Sequence, residues 1–233
     1  MEDYREVYYT RERWAILRAK RSEAARIARA LALTLRLPVI AHGSLARGDV
    51  RRDSDIDIAI LETPRPLGLV DLALERAGFE IVRRIIVQAT PGYTPKVYYY
   101  LDWEGKRVVS YPLAPLKPRE REFYRWGGEV EAGALESDVR VPGVNKELKL
   151  IIPKPWGHVE YSVVGREGVV ARLLGISVET VEERVRVLGR RREVGRTGVF
   201  IEYEVPPGVT VEEAVRLLAR ERRAFRRLVN DIR

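Results

Sequence analysis

Apolar and polar positions in the first quarter of the chain follow a helical period and then a strand period. From Thr10, an expected N-cap, apolar residues recur at mostly helical spacing until Pro38, which predicts one long amphipathic helix. The apolar run 38–41 then predicts a buried strand, and 45–48 a short helix. Residues 55–61 alternate acidic and apolar side chains, which is typical of a half-buried strand. The predicted order is therefore strand, turn, short helix, strand.

The middle of the chain is predicted to add strands to the same sheet. We expect a helix over 67–77 and then strands over 79–87, 96–103 and 106–113, the last two joined by a turn at Glu104-Gly105. The stiff stretch from Pro112 to Pro118 interrupts both periods, so we place a domain boundary near it, with a helix over 119–126. The region up to Pro155 contains one strand candidate, 148–152, and is otherwise uninformative.

The C-terminal third resembles a winged helix. Helices are predicted over 168–174 and 178–188 around Gly175, with Ser177 as the cap of the second. A hairpin with strands 191–194 and 199–205 would form the wing, and an amphipathic helix follows from about 211 to 229. The predicted domains are 1–117, a connecting segment of unclear structure over 118–164, and a winged-helix-like domain over 165–233.

Composition limits the chemistry. The 233 residues include no Cys and two His, so disulfides, thiolate zinc sites and cysteine nucleophiles are excluded. Any metal must be held by carboxylates, which suit Mg²⁺ or Mn²⁺. The formal net charge of +8 favours an anionic partner such as nucleotide, RNA or DNA, although a solvated arginine-rich surface is an alternative.

The distribution of apolar residues in the sequence does not indicate a membrane protein. The N-terminal residues 1–5 are charged where a secretory signal is apolar, and no apolar run reaches membrane-spanning length. We expect a soluble, cytoplasmic protein with no membrane partner; no sequence feature indicates an oligomeric state.

Two carboxylates carry the candidate chemistry. Asp55 and Asp57 project from one side of their strand, about 7 Å apart, while the intervening isoleucine points into the core. Like charges so placed repel unless a proton or a divalent cation offsets them. Gly43 and Ser44, at the end of the preceding strand, would let a phosphate approach the backbone at a helix N-terminus. The alternative is a polar strand face paired with Arg51 or Arg52.

The pattern His42-Gly43-Ser44, ten residues, Asp55-Ile56-Asp57 resembles the signature of the DNA polymerase β-like nucleotidyltransferase superfamily. With Arg47-Gly48 and Ser54 it resembles the minimal nucleotidyltransferases of archaea and bacteria, and with a helix-turn-helix-like C-terminus a group of archaeal predicted nucleotidyltransferases. The implied fold class is α/β (α+β): a mixed sheet flanked by helices, followed by the winged-helix-like α+β domain.

The resemblance implies a role for each motif residue. Asp55 and Asp57 would bind Mg²⁺ (or Mn²⁺), which bridges the triphosphate of an NTP for in-line attack on the α-phosphate. Gly43 and Ser44 would bind the β- and γ-phosphates, with Ser54 in the same nucleotide-binding set. Arg47 would neutralise charge on the leaving group, or form a salt bridge on the helix surface.

The superfamily usually adds a third carboxylate on a later strand, as metal ligand and proton acceptor. Asp102, in the run Tyr100-Leu101-Asp102-Trp103, is the preferred candidate, although its place beside the turn also suits a turn former. Glu80 has the same apolar-acid-apolar setting and is the substitute.

The implied function is transfer of a nucleoside monophosphate from an NTP to an acceptor hydroxyl. RNA is the favoured acceptor because of the charge, contacted through the basic wing at 190–192 and Arg196 and through the arginine-rich last helix. A protein side chain is an alternative acceptor, and a packing or dimerisation role is the alternative for the C-terminal domain. The rival function is a catalytically idle, nucleic-acid-binding regulator.

Overall fold

The structure is a computed structural model that describes residues 4–195 and 198–229. The helices are α1 (Arg11–Leu35), α2 (Ser44–Arg47), α3 (Leu69–Arg76), α4 (Pro118–Gly127), α5 (Glu167–Leu174), α6 (Val178–Val194), α7 (Val211–Glu221) and α8 (Arg223–Leu228), with a 3₁₀ turn at Ala132–Leu135. The strands are β1 (Tyr4–Tyr8), β2 (Val39–His42), β3 (Ile56–Ile60), β4 (Arg83–Gln88), β5 (Lys96–Tyr100), β6 (Arg107–Pro112), β7 (Glu129–Glu131), β8 (Gly143–Val144), β9 (Lys149–Lys154), β10 (Gly157–Ser162) and β11 (Ile201–Glu204). This mixture confirms the predicted α/β class.

The chain forms two compact units whose segments are interleaved in sequence. Unit 1 contains 1–25, 41–54 and 121–197, and unit 2 contains 26–40, 55–120 and 198–233. The predicted boundary near Pro118 lies close to one crossing between them. The predicted single domain over 165–233, in contrast, is divided between the two units.

Unit 2 is built on a mixed sheet with hydrogen-bonded order β11-β4-β5-β6-β3. Strands β3 and β6 are parallel, whereas β6, β5, β4 and β11 are successively antiparallel. The start of β2 joins β3 through a hydrogen bond from the Leu61 N–H to the Pro38 carbonyl oxygen, 3.0 Å long. One face of the sheet is buried, with Ile58, Tyr99, Val109 and Ile86 among its fully enclosed side chains.

Helix α3 is fixed to the buried face of that sheet by a polar cluster. The Tyr99 hydroxyl donates to Asp71 Oδ2 at 2.7 Å, and Arg84 Nη1 donates to Asp71 Oδ1 at 3.0 Å. In α7 the Glu212 carboxylate accepts a 2.9 Å hydrogen bond from the Gly68 N–H ahead of α3. Burial, the neighbouring Tyr111 and the Asp71 carboxylate raise the pKa of Tyr99 well above its ordinary value, so the phenol stays a donor.

Unit 1 combines a small antiparallel sheet of order β1-β10-β9-β8 with the helix pair α5 and α6. Gly175 ends α5 in the left-handed conformation (φ 63°), and the Ser177 side chain caps α6 by accepting from the Thr180 N–H. This confirms the predicted helix-turn-helix arrangement. The apolar faces of the helices and of β9 meet in a common core around Val163, Val170 and Val181.

The predicted wing is wrong. Residues 191–194 are the last turn of α6 rather than a strand, because this arginine-rich stretch continues the helical period. The second predicted strand exists as β11 but pairs with β4 in unit 2. No winged helix is therefore formed within the described ranges, and Arg196, also assigned to the wing, lies outside them.

Other differences are local. The predicted helix over 211–229 is broken at Arg222, whose extended backbone (φ −120°, ψ 100°) separates α7 from α8. The segment 118–164, predicted as a connector with one strand, contains α4, a 3₁₀ turn and four strands. Strands β7 and β8 have only three and two residues, and the apolar faces of β8 and β9 are completed by α5 and α6, so no clear local period marks this segment. Among the described helices, none combines the length and apolar character needed to span a bilayer.

The start of α6 is held by a distant carboxylate. Glu122 in α4 accepts hydrogen bonds from the Ser177 N–H at 3.2 Å, the Ser177 hydroxyl at 2.7 Å and the Thr180 hydroxyl. Burial alone would raise the pKa of Glu122, but the hydrogen bonds from Thr180 and Ser177 outweigh it and hold the pKa below its ordinary value of 4.5. The charged carboxylate therefore stabilises the fold.

Glu122→Gln is expected to lower the free energy of unfolding by about 1 kcal/mol at pH 7, since a charged acceptor is lost at a helix N-terminus. Because the folded-state pKa is depressed, this contribution is complete above pH 4.5 and disappears as the pH falls through the folded value. Urea unfolding at pH 7 and pH 3.5 measures it. Glu179→Gln, an exposed change in the same helix, is the matched control. A difference between wild type and Glu122→Gln that persists undiminished at pH 3.5 would contradict the assignment.

Candidate active site

The Gly43-Ser44 turn lies in unit 1, where buried β2 passes into the four-residue helix α2. Gly43 has φ 75° and ψ −140°, a conformation that disfavours any residue with a Cβ, and the space beside its Cα is open. Its N–H donates to the Gly128 carbonyl oxygen at 2.9 Å. In the described ranges the Ser44 hydroxyl has no hydrogen-bond partner of its own. The turn therefore presents backbone and one hydroxyl to an approaching group.

Arg47 is part of the framework of this turn. Its side chain is buried, and Nη1 donates to the carbonyl oxygens of Gly127 at 2.6 Å and Val144 at 3.3 Å. Nη2 donates to Asp49 Oδ2 at 3.1 Å, while Nε lies 3.0 Å from Oδ1 without hydrogen-bonding alignment. The salt bridge exists, but it is buried rather than on the helix surface. This engagement favours a structural role over contact with a leaving group.

Three glycines that the sequence reasoning did not single out complete the framework. A Cβ on Gly143 would lie 2.5 Å from the Gly128 nitrogen and 2.6 Å from the Gly127 carbonyl carbon. Gly128 itself has φ 82°, and a Cβ there would lie 2.9 Å from Arg47 Cγ. Backbone is thus packed directly on backbone beside the Gly43 turn. The sequence shows the adjacent pair Gly127-Gly128, but it does not indicate that Gly143 packs against this pair.

Ser54 shapes the turn that leads to the carboxylates. Its hydroxyl accepts from the Arg51 N–H at 2.8 Å, its own N–H donates to the Arg51 carbonyl oxygen at 3.1 Å, and its carbonyl oxygen accepts from Lys20 Nζ at 2.6 Å. The alternative partners for the acidic strand are occupied elsewhere: Arg52 pairs with Glu12 at 2.8 Å and Arg51 with Glu147 at 3.7 Å.

Asp57 lies in β3 of unit 2, and Asp55 immediately precedes that strand. Both are half-buried, and the intervening Ile56 is buried in the core. The Ile56 N–H donates to the Lys106 carbonyl oxygen at 2.7 Å, which fixes the peptide between the two acids. Within the described part of the chain, neither carboxylate has an ion pair or a side-chain hydrogen bond. Two unneutralised oxygen donors on one strand face fit a hard divalent cation.

Asp102, the predicted third carboxylate, lies in the hairpin turn between β5 and β6. Oδ1 accepts from the Lys106 N–H and Oδ2 from Arg107 Nε, each at 2.8 Å. Burial alone would raise the pKa of Asp102, but the hydrogen bonds from Arg107 and Lys106 outweigh it and lower the pKa. Because the Lys106 carbonyl oxygen holds Ile56, Asp102 supports the strand that carries the acidic pair. Glu80 is exposed in the loop before β4.

The residue beside Asp57 on the neighbouring strand is Val108, according to the parallel register of β3 and β6. A valine side chain at this position of β6, directly beside Asp57, supplies no metal ligand. In keeping with this, no group of three acidic or histidine side chains among the described residues is arranged to hold a metal ion.

The Gly43-Ser44 turn and the acidic pair Asp55 and Asp57 both fall within a stretch of the chain that is similar to a known domain family. The family model of the nucleotidyltransferase domain matches residues 22–91, a range that contains every motif residue from Gly43 to Asp57. This similarity supports a relationship of residues 22–91 to the polymerase β-like nucleotidyltransferase superfamily, and with it a transferase activity. No curated protein matches the chain in sequence.

Val108→Asp is expected to tighten Mn²⁺ binding by about one order of magnitude, because the number of charged oxygen ligands sets affinity for hard cations. Adjacent strands are about 4.8 Å apart, so the new carboxylate would stand beside Asp57. Isothermal titration of wild type and variant with Mn²⁺ measures the change. Val108→Asn, which has the same shape without the charge, is the control. Equal affinities for all three proteins would contradict the assignment of this face as the metal site.

Proposed function

We propose that the protein transfers a nucleoside monophosphate from an NTP to an acceptor hydroxyl, with RNA as the favoured acceptor. One observation carries the proposal: Asp55 and Asp57 are half-buried, have no side-chain partner in 4–195 and 198–229, and lie within the residues that match the nucleotidyltransferase family. A divalent cation, Mg²⁺ or Mn²⁺, is the group that such a pair would hold. When bound, it would supply positive charge to the phosphate oxygens.

The reaction balances without a further reactant. The acceptor hydroxyl oxygen forms a bond to the α-phosphorus, the bond from that phosphorus to the bridging oxygen of the β-phosphate breaks, and pyrophosphate leaves with the electron pair. The hydroxyl proton passes to water. The Ser44 N–H and hydroxyl would be donated to the β- and γ-phosphates, and Ser54 would keep the turn before Asp55 in shape. Arg47 would act by holding the turn.

The rival is a nucleic-acid-binding regulator without catalytic activity. The specific observation in its favour is Val108, which stands directly beside Asp57 on the neighbouring strand and supplies no carboxylate. Both functions require the acidic face, but only the first requires turnover. Nucleotidyl transfer by the wild-type protein separates the two functions.

The double variant Asp55→Asn/Asp57→Asn is expected to reduce nucleotidyl transfer on the order of a thousandfold or more, since the charge that offsets the phosphates is lost with the cation. Incubation with each α-³²P-labelled NTP, Mg²⁺ or Mn²⁺, and an RNA pool or a protein fraction measures transfer and identifies the acceptor. Asp53→Asn, an exposed change of the same kind nearby, is the matched control. Circular dichroism verifies that each variant is folded. Unchanged transfer in the double variant would refute the proposal, and no transfer by folded wild type to any acceptor would favour the regulator.

Two variants in the same assay distinguish a supporting role of Asp102 in the hairpin from a role as the third carboxylate. Asp102→Asn keeps an oxygen that can accept from the Lys106 N–H, whereas Asp102→Ala removes it. If Asp102 supports the hairpin, transfer by the Asn variant stays within a few-fold of wild type while the Ala variant loses more. If Asp102 is the third carboxylate, as predicted from the sequence, the two variants fall equally.

A further inference from the structure

The face of the unit 2 sheet that carries Asp57 also carries a row of side chains aligned across four strands. In the register, Asp57 stands beside Val108, Val108 beside Tyr100, and Tyr100 beside Arg83. Directly paired residues point to the same face of a sheet. All four are half-buried, in contrast to the fully enclosed opposite face. The acidic pair therefore belongs to an accessible surface that extends along the sheet.

Arg83 is an unneutralised cation at the far end of this row. Its guanidinium lies over the Tyr100 ring, with Cζ 4.2 Å from the ring centroid. In the described ranges it has no ion pair, and its buried Nε has no hydrogen-bond acceptor. A half-buried guanidinium loses part of its hydration free energy, and without an acidic partner nothing offsets this loss. A bound anion would offset it through charge-assisted hydrogen bonds.

The hairpin end of the same face adds charge and aromatic surface. Lys106, whose carbonyl oxygen accepts from the Ile56 N–H, is exposed and has no side-chain partner in the described part of the chain. Trp103, at the hairpin tip, is 80% exposed. Tyr98 and Lys96 continue the face along β5. Cations interleaved with aromatic rings are the composition of surfaces that bind single-stranded nucleic acid.

We infer that this face binds a single-stranded polynucleotide as the acceptor, with Arg83 on a backbone phosphate and Tyr100 against a base. The inference rests on the proposed function for the identity of the reacting end. Charge placement distinguishes the acceptor from the nucleotide. All the negative charge of an NTP lies in its triphosphate, which the Asp55–Asp57 cation would hold. Arg83 is three strands from Asp57, about 14 Å, and needs a different anion, which a polynucleotide supplies at every nucleotide.

The edge strand limits the extent of this surface. Glu204 pairs with Ile85 and Glu202 with Val87, so both glutamates lie on the same face as Arg83 and are exposed. They would repel phosphate. The polynucleotide is therefore expected to follow the row from Asp57 to Arg83 near the hairpin rather than to cross β11.

Arg83→Gln is expected to weaken binding of a fluorescein-labelled 12-nucleotide single-stranded RNA on the order of tenfold. The slope of log Kd against log salt should fall by about 0.7, the value for one phosphate contact on a single strand. Fluorescence anisotropy of the full-length protein between 50 and 300 mM KCl measures both. Arg76→Gln, an exposed arginine in α3 on the other side of the sheet, is the matched control and should keep the wild-type slope. Binding of a fluorescent NTP analogue with Mn²⁺ should be unchanged in both variants.

Lys106→Gln and Tyr100→Ala test the inference independently of Arg83. The Lys106 side chain is exposed, so its replacement changes no packing contact. Lys106→Gln should also lower the slope by about 0.7, and Tyr100→Ala should weaken RNA binding on the order of tenfold, with Tyr100→Phe close to wild type. RNA binding by Arg83→Gln and Lys106→Gln equal to that of Arg76→Gln would overturn the inference. So would loss of NTP-analogue binding with RNA binding unchanged, which would assign the row to the nucleotide. These are binding measurements, so absence of nucleotidyl transfer refutes only the catalytic proposal. If the wild-type protein transfers a nucleotide but the variants bind RNA as tightly as wild type, only this inference is refuted.

Discussion

Burial of Ile56 and Ile58 is the constraint on which the candidate site depends. Successive side chains of a strand point to opposite faces, so once these isoleucines enter the core, Asp55 and Asp57 must face the other way. A slip of one residue would bury both carboxylates without partners, which costs far more than the strand pairing returns. The hydrogen bond between Ile56 and Lys106 then decides which side chains stand beside the acids. The position of the acidic pair is thus a result of apolar packing.

The Gly-Ser turn is held in a different way, by backbone against backbone and by one buried ion pair. Arg47 and Asp49 lie below the turn, and Gly128 and Gly143 allow main chain to approach main chain beside it. Glycines at such contacts cannot be replaced without moving a neighbour. A turn of this kind is stiff although it has few side chains. Stiffness without side chains is what a loop needs if phosphate oxygens are to meet its N–H groups at fixed positions.

Local signals in the sequence were sufficient for the segment from α1 to β3, but not for β1, whose partner is the distant β10. The spacing of apolar residues predicted α1 with its Thr10 cap, β2, α2 and β3, and the motif predicted the nucleotidyltransferase domain. The prediction of a wing was wrong because β11 pairs with β4, more than a hundred residues away, and a local apolar period does not indicate such a long-range pairing. Arg47 and Asp102 were recognised as polar residues near the motif, but their partners come from distant segments or from the geometry of a turn. Similarly, the row from Asp57 to Arg83 depends on strand register, which the sequence leaves open. The metal ligands, Asp55 and Asp57 included, stay a prediction.

The interleaving of the two units has a consequence for synthesis on the ribosome. Helix α1 contributes its first turns to unit 1 and its last turns to unit 2, and β4 acquires its β11 neighbour from residues translated much later. Until those residues emerge, β4 is an unpaired edge able to pair with other chains. Its Arg83 and Arg84 lie near the beginning of that edge, and charges there oppose wrong pairing. The arginine proposed to meet an acceptor strand would in this way also protect the nascent chain.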